Sequence, residues 1–192
     1  MFAELLTERL SGIVQLAAGQ VSALHAHYEM LLRWNRTVNL TSISRVEESV
    51  ERHYCESLFL AARLPAGPLR IADIGSGAGF PGLPIAVYRP DCRVVLIESH
   101  RRKAVFLREA SRTLPNVKVL AERAERVNEG FDWVVSRAVS YRDLKPILKE
   151  MAANADLLTG AEPPPEELGF AWGPPVALPW GSHRFLRTGH RR

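Results

Sequence analysis

Cysteine is scarce in this chain of 192 residues, which has only Cys55 and Cys92, far apart and outside any CxxC or Cys/His pair. That scarcity argues against a disulfide framework or a zinc site, so a reducing cytoplasm is the expected compartment. No uninterrupted apolar run approaches the roughly 20 residues needed to cross a bilayer, so no membrane partner is expected. The first residues, MFAELLTERL, include acids and lack the basic n-region of a secretory signal. Internal repeats are absent too. What is there is an ordinary globular composition, 46% hydrophobic and 24% charged. That is enough apolar side chain to offset chain entropy. The length suits one α/β domain with a modest appendage.

The net charge of +4 says little by itself; its distribution says more. Arg101, Arg102, Lys103, Arg108 and Arg112 lie close together, and His183, Arg184, Arg187, His190, Arg191 and Arg192 crowd the end. Such clusters suit a phosphate backbone, the plainer alternative being a solvated helix face and a frayed basic tail.

Residues 1–65 read as a helical extension. Phe2, Leu5, Leu6, Leu10, Ile13 and Val14 keep a 3.6-residue period, as do Val21, Leu24, Tyr28, Leu31 and Leu32. The polar run NRTVNLTSIS (residues 35–44) should interrupt the helices, and a third pattern from Val46 to Ala61 ends before Pro65. From Leu69 the rhythm changes. Short β-branched runs at 69–74, 93–98, 117–120 and 132–136 alternate with helical patterns at 83–88, 100–114 and 143–153. This predicts an α/β fold with a doubly wound, mostly parallel sheet over residues 66–192, behind the helical extension. Gly160–Pro179, with six prolines, reads as extended connection with little regular structure.

The segment Asp73-Ile-Gly75-Ser-Gly77-Ala-Gly79 sits where the first strand turns into a helix, at the edge where open α/β sheets bind ligands. A GxGxxG match at Gly77, Gly79 and Gly82 raises a dinucleotide dehydrogenase. The DxGxGxG register argues against it, and Pro81 lacks the amide donor a pyrophosphate needs. Glu98 ends the second strand, where a carboxylate can accept ribose hydroxyls. Together the two features point to an adenosine-containing cofactor, and the register tilts the choice to S-adenosylmethionine.

Around that loop stand RWNRTVNLTS (33–42), RHYCES (52–57), DIGSGAGFPGLPIA (73–86), Glu98 with RRKAVFLRE (101–109), RAE (123–125) and SRA (136–138). In this order they resemble the glucose-inhibited division protein B family, bacterial methyltransferases of guanine N7 in the 530 loop of 16S ribosomal RNA. The resemblance covers about residues 25 to 140. It implies a Rossmann-like class I methyltransferase fold and S-adenosyl-L-methionine as cofactor, held by Asp73, Gly75, Gly77, Gly79 and Phe80. Glu98 is then at the ribose, and Ala124 and Glu125 at the adenine. Arg137 faces the cofactor and the reacting centre, and Asn39, Thr41, Ser42, Arg52 and His53 line the substrate side. Arg137, His53 and Asn39 are the candidates for catalysis. Read without the family, Asn39 and Ser42 are helix caps and His53 is a satisfied core histidine.

The resemblance further implies 16S rRNA or the small ribosomal subunit as partner of a cytoplasmic, monomeric enzyme. Guanine N7 carries a free lone pair, so its methylation needs no general base. The chain departs from the family at Leu158-Thr159-Gly160, where the family has an LKG-like element, and residues 160–192 diverge. The alternatives are a methyltransferase of another substrate and a non-catalytic RNA-binding or assembly protein on the same fold. A dehydrogenase stands behind both.

Overall fold

A computed structural model describes residues 1–192. Two amphipathic helices, α1 (Phe2–Leu10) and α2 (Ala18–Asn35), open the chain, with Phe2, Leu6, Leu10, Leu24 and Leu31 turned inward. Gln20 anchors the start of α2. Its Oε1 accepts from Ala17 N–H at 2.9 Å while its Nε2 donates to the carbonyls of Val87 and Tyr88. A third helical stretch is composite: α3 (Val46–Ser49), a π-helical turn (Val50–Cys55) and α4 (Glu56–Ala61). The wider π turn pairs Glu56 N–H with Glu51 O, and such turns recur at functional sites.

The strands β1 (Arg70–Ile74), β2 (Arg93–Ile97), β3 (Val117–Leu120), β4 (Phe131–Arg137) and β5 (Ala152–Thr159) run parallel in the order 3-2-1-4-5. Helices α5 (Gly82–Tyr88) and α6 (Arg101–Ala110) cross over between the first three. Short helices α7 (Tyr141–Leu144) and α8 (Leu148–Met151) lead into β5. Because β1 and β2 are buried along most of their length, their side chains need no alternation and read as apolar runs. One cluster of 32 buried residues joins the N-terminal helices, α5 and α6 to one face of the sheet. A second, of 15, packs α7 and α8 on the other. The expected doubly wound sheet is present.

Three expectations are corrected. The helical pattern over residues 143–153 is broken because Pro146 has no N–H to donate and its ring crowds the carbonyl four residues back, so only single turns form and β5 begins at Ala152. Gly160–Pro179 is not free of regular structure. It carries a 3₁₀ turn (Glu166–Leu168), β6 (Phe170–Trp172) and β7 (Val176–Ala177). The terminal residues are no frayed tail either: they form β8 (Phe185–Arg191), antiparallel between β5 and β6, with β7 also paired to it. No helix is long and apolar enough to cross a membrane. Cys55 and Cys92 are free and buried.

Candidate active site

Parallel register brings the site together. Ile74 of β1 lies beside Ile97 of β2 and Ser136 of β4, so Gly75, Glu98 and Arg137 follow one another along the carboxyl edge. Gly75 N–H donates back to Ile97 O at 2.9 Å, which folds the glycine loop over the gap between the strands. Gly75, Gly77 and Gly79 take φ of 69°, 56° and 94°, which glycine adopts without a steric penalty. Gly82 is needed for another reason, because an added Cβ would stand 2.3 Å from Leu96 Cδ2 and 2.6 Å from Asp73 Oδ2.

Two carboxylates set the loop's shape. Glu98 Oε2 accepts from Gly77 N–H at 2.9 Å and Oε1 from His100 N–H at 2.7 Å. Each oxygen keeps a lone pair, and the residue is 8% exposed at the strand end. Asp73 lies wholly inside. Its Oδ2 accepts from Gly82 N–H at 2.9 Å, while Oδ1 has no donor. Burial pushes its carboxyl up to about 7 against the opposing pull of that hydrogen bond.

Phe80 closes the loop and joins it to the composite helix. The His53 ring stacks on it with centroids 4.6 Å apart, and the Arg137 guanidinium carbon lies 5.4 Å from its centre. Arg137 Nη1 donates to Arg52 O at 2.8 Å. His53 Nε2 meets Thr41 Oγ1 at 2.9 Å, and Ile43 N–H donates to that same oxygen at 3.1 Å. The other ring nitrogen, Nδ1, has no partner. His53 is thus buried and incompletely satisfied, unlike the core histidine of the plainer reading. Burial, then the charge of Arg137, drives its pKa down to about 2 and keeps it neutral.

Asn39 and Ser42 are exposed and cap no helix; the loop is instead shaped by Asn35, whose Oδ1 accepts from Leu40 and Thr41 N–H. Asn39 shares a cleft of about 340 Å³ with Thr37, Val38, His100, Arg102 and Lys103. Ala124 is half-buried and Glu125 exposed in a 3₁₀ turn (Ala124–Arg126) after β3.

Some contributors carry no local signal in the sequence. His27 supports the loop from α2, its Nε2–H donating to Ala78 O at 3.0 Å while Nδ1 accepts from Tyr54 OH at 3.0 Å. The C-terminal basic cluster, expected to face phosphates, is largely engaged within the fold. Arg184 pairs with buried Glu56, Arg187 bonds Thr159 Oγ1 and Ala161 O, and Arg191 bonds Lys149 O. No carboxylate lies within ion-pair distance of Arg101, Arg102, Lys103 or Arg108.

Residues 20–156 match the family model described as rRNA small subunit methyltransferase G, GidB. The chain belongs to this family. Proteins named ribosomal RNA small subunit methyltransferase G are similar to it. The one from Chromobacterium violaceum is 41% identical over 69% of this chain and 67% of its own length. Those from Nitrosomonas eutropha and Nitrosospira multiformis are 41% and 45% identical, with 63% and 56% of their lengths matched. The chain thus spans between 56% and 67% of these family members. Among solved structures, a SAM dependent methyltransferase from Aquifex aeolicus has a TM-score of 0.57 at 19% identity, covering 74% of this chain and 92% of that one. Magnesium protoporphyrin IX methyltransferase from Synechocystis, with bound SAH, has 0.58 at 12%, covering 90% and 98%. At these identities the likeness speaks for the fold, a Rossmann-like one.

Proposed function

We propose that this protein methylates guanine N7 in the 530 loop of 16S ribosomal RNA, using S-adenosyl-L-methionine. The observation that carries the reading is the pairing of the open glycine loop with Glu98, inside a chain of this family. The residues fit the cofactor. Glu98 has free lone pairs for two ribose hydroxyls, Asp73 Oδ1 is an acceptor without a donor beneath the loop, and Pro81 offers no amide to a pyrophosphate. When bound, S-adenosylmethionine supplies an electrophilic methyl group carried on a sulfonium.

On this reading Gly75, Gly77, Gly79 and Phe80 wall the cofactor, and Ala124 and Glu125 stand at its adenine. The acceptor atom has no proton to lose, so no residue is needed as a general base. Neutral His53 agrees with that. Its part is to hold Phe80 against the loop that carries Thr41. Arg137 spends one donor on a carbonyl and keeps the rest for the guanine or the cofactor. Arg102, Lys103 and Asn39 line a cleft suited to a neighbouring phosphate, with the exposed charges of α6 beside it. The partner is the small ribosomal subunit or its RNA, and the enzyme works as a cytoplasmic monomer.

Labelled methyl incorporation into small-subunit particles, followed by mapping of the modified nucleotide, tests the reading. Label at guanine N7 of the 530 loop is expected. Label elsewhere, or none, overturns it. Arg137→Ala is expected to abolish transfer while the far-UV circular dichroism stays unchanged, and full activity in that variant removes Arg137 from the mechanism.

A further inference from the structure

Glu56 opens α4 with its side chain wholly buried, where an unpaired carboxylate would be strongly disfavoured. Arg184 answers it. Nε and Nη2 each donate to one of the two carboxylate oxygens, the forked arrangement that only arginine provides. Arg184 lies beyond residue 156, where the family match ends. The turn that carries it is shaped for the purpose. Leu178 N–H closes on Arg184 O at 2.9 Å, His183 adopts φ of 58°, and a Cβ on Gly181 would crowd Arg184 Cδ at 2.9 Å. Trp180 fixes the turn to the N-terminal helices, donating to Arg9 O at 3.2 Å and meeting the Phe59 ring edge-on.

Arg137 approaches the same place. The carbonyl it touches belongs to Arg52, about one helical turn ahead of Glu56 on the composite helix. Burial draws its pKa down to about 10; the Glu56 carboxylate opposes this and Arg184 adds to it. Two guanidinium groups therefore stand near one buried carboxylate. Arg184 makes the forked ion pair and compensates the charge, while Arg137 bonds a neutral carbonyl and meets the face of Phe80.

We infer that Arg184 is a positioning residue: by compensating the charge of Glu56 it keeps Arg137 out of a buried ion pair and turned toward the carboxyl edge of the sheet. The inference rests on the role given to Arg137 above. Without Arg184, Glu56 captures Arg137, and the guanidinium is withdrawn from the guanine.

The test compares wild type, Arg184→Ala, Glu56→Gln and the double variant on small-subunit particles, with S-adenosylhomocysteine affinity measured by calorimetry. Arg184→Ala is expected to lower kcat about tenfold or more, with the Kd for S-adenosylhomocysteine within about twofold of wild type. Adding Glu56→Gln removes the competing charge, and kcat should return to within about threefold of wild type. Neutralising an unpaired buried carboxylate also restores stability, so kcat is compared well below each variant's melting transition, where a merely structural role predicts no loss to rescue. The Arg137 guanidinium resonance, assigned by ¹⁵N NMR, should move in Arg184→Ala and return in the double variant. If Arg184→Ala does not fold, Arg184→Lys keeps the cation without the fork, and its smaller loss should be reversed in the same way. Wild-type kcat in the position-184 variants, or a loss that Glu56→Gln does not relieve, overturns the inference. If wild type itself transfers no methyl group, the functional reading fails, and the NMR comparison alone decides the inference.

Discussion

At the scale of single residues, the two carboxylates under the glycine loop do different work. Glu98 holds the loop and, on the proposed reading, also faces the ligand, so Glu98→Ala removes acceptors for two backbone N–H groups and, on that reading, for the ribose. Charge-assisted hydrogen bonds of this kind contribute about 1.5–3 kcal/mol each, so S-adenosylhomocysteine affinity should fall about a hundredfold by calorimetry. The buried histidines make stability depend on pH. His27 and His53 titrate in the unfolded chain at the usual 6.5, but burial lowers them in the folded chain to about 4 and about 2. As pH falls below 6.5 the unfolded state takes up protons that the folded state refuses, so stability is lost on the acid side. Asp73 works the other way. Raised to about 7 from 3.8, it is protonated in the folded chain while still ionised in the unfolded one, which favours folding as pH falls. Asp156, raised by burial to about 6, acts in the same sense, so two histidines and two aspartates nearly cancel between about pH 5 and 6.5. The thermal midpoint of wild type should therefore change little from pH 7 to pH 5 in a calorimetric series, whereas Asp156→Asn should lose stability steadily over that range; a flat series in the variant would show that the rings are protonated inside the fold.

Among the elements, those whose cause is local were legible and those built from distant partners were not. The glycine loop was readable because its chemistry lies in consecutive residues, and β1, β2 and β4 because strands buried along most of their length concentrate apolar side chains; the half-buried edge strand β3 was readable from its β-branched Val117 and Val119. β5 was hidden by an apparent helical period that Pro146 interrupts. β8 was hidden because FLRTGHR is polar and basic on its own and becomes a strand through pairing with β5 and β6. The packing of α5 against β1 and β2 gives a direct test. Gly82→Ala drives a methyl group into Leu96 and Asp73, and overpacking of this kind costs about 1–3 kcal/mol. Urea denaturation should show a lower midpoint with an unchanged m-value. For α6 the expectation is electrostatic. Replacing Arg102 and Lys103 by alanine should weaken RNA binding and reduce the slope of log K against log salt by about 1 for each phosphate no longer neutralised. An unchanged slope would place the RNA on another face.

On the scale of the whole molecule, charge placement was the least legible feature. Glu56 and Arg184 are 128 positions apart, and nothing in either neighbourhood announces the pair. The same distance effect turns an apparent basic tail into structure. Leu178 and Leu186 from the end of the chain join Phe2, Leu6 and Leu10 from its beginning in one apolar cluster with the sheet. We therefore propose that the helical extension, residues 1–65, and the sheet domain, residues 66–192, unfold together as one cooperative unit. Removing residues 170–192 strips β6, β7 and β8, exposes the full edge of β5 and leaves Glu56 buried without its cation. A buried charge deprived of its partner costs about 3–5 kcal/mol, a large part of a typical domain's stability of about 5–15 kcal/mol. Differential scanning calorimetry of the full chain should give one transition, and the shortened chain should aggregate or melt without cooperativity. Adding Glu56→Gln to the shortened chain should recover only part of the loss, because the open strand edge and the vacated apolar surface remain.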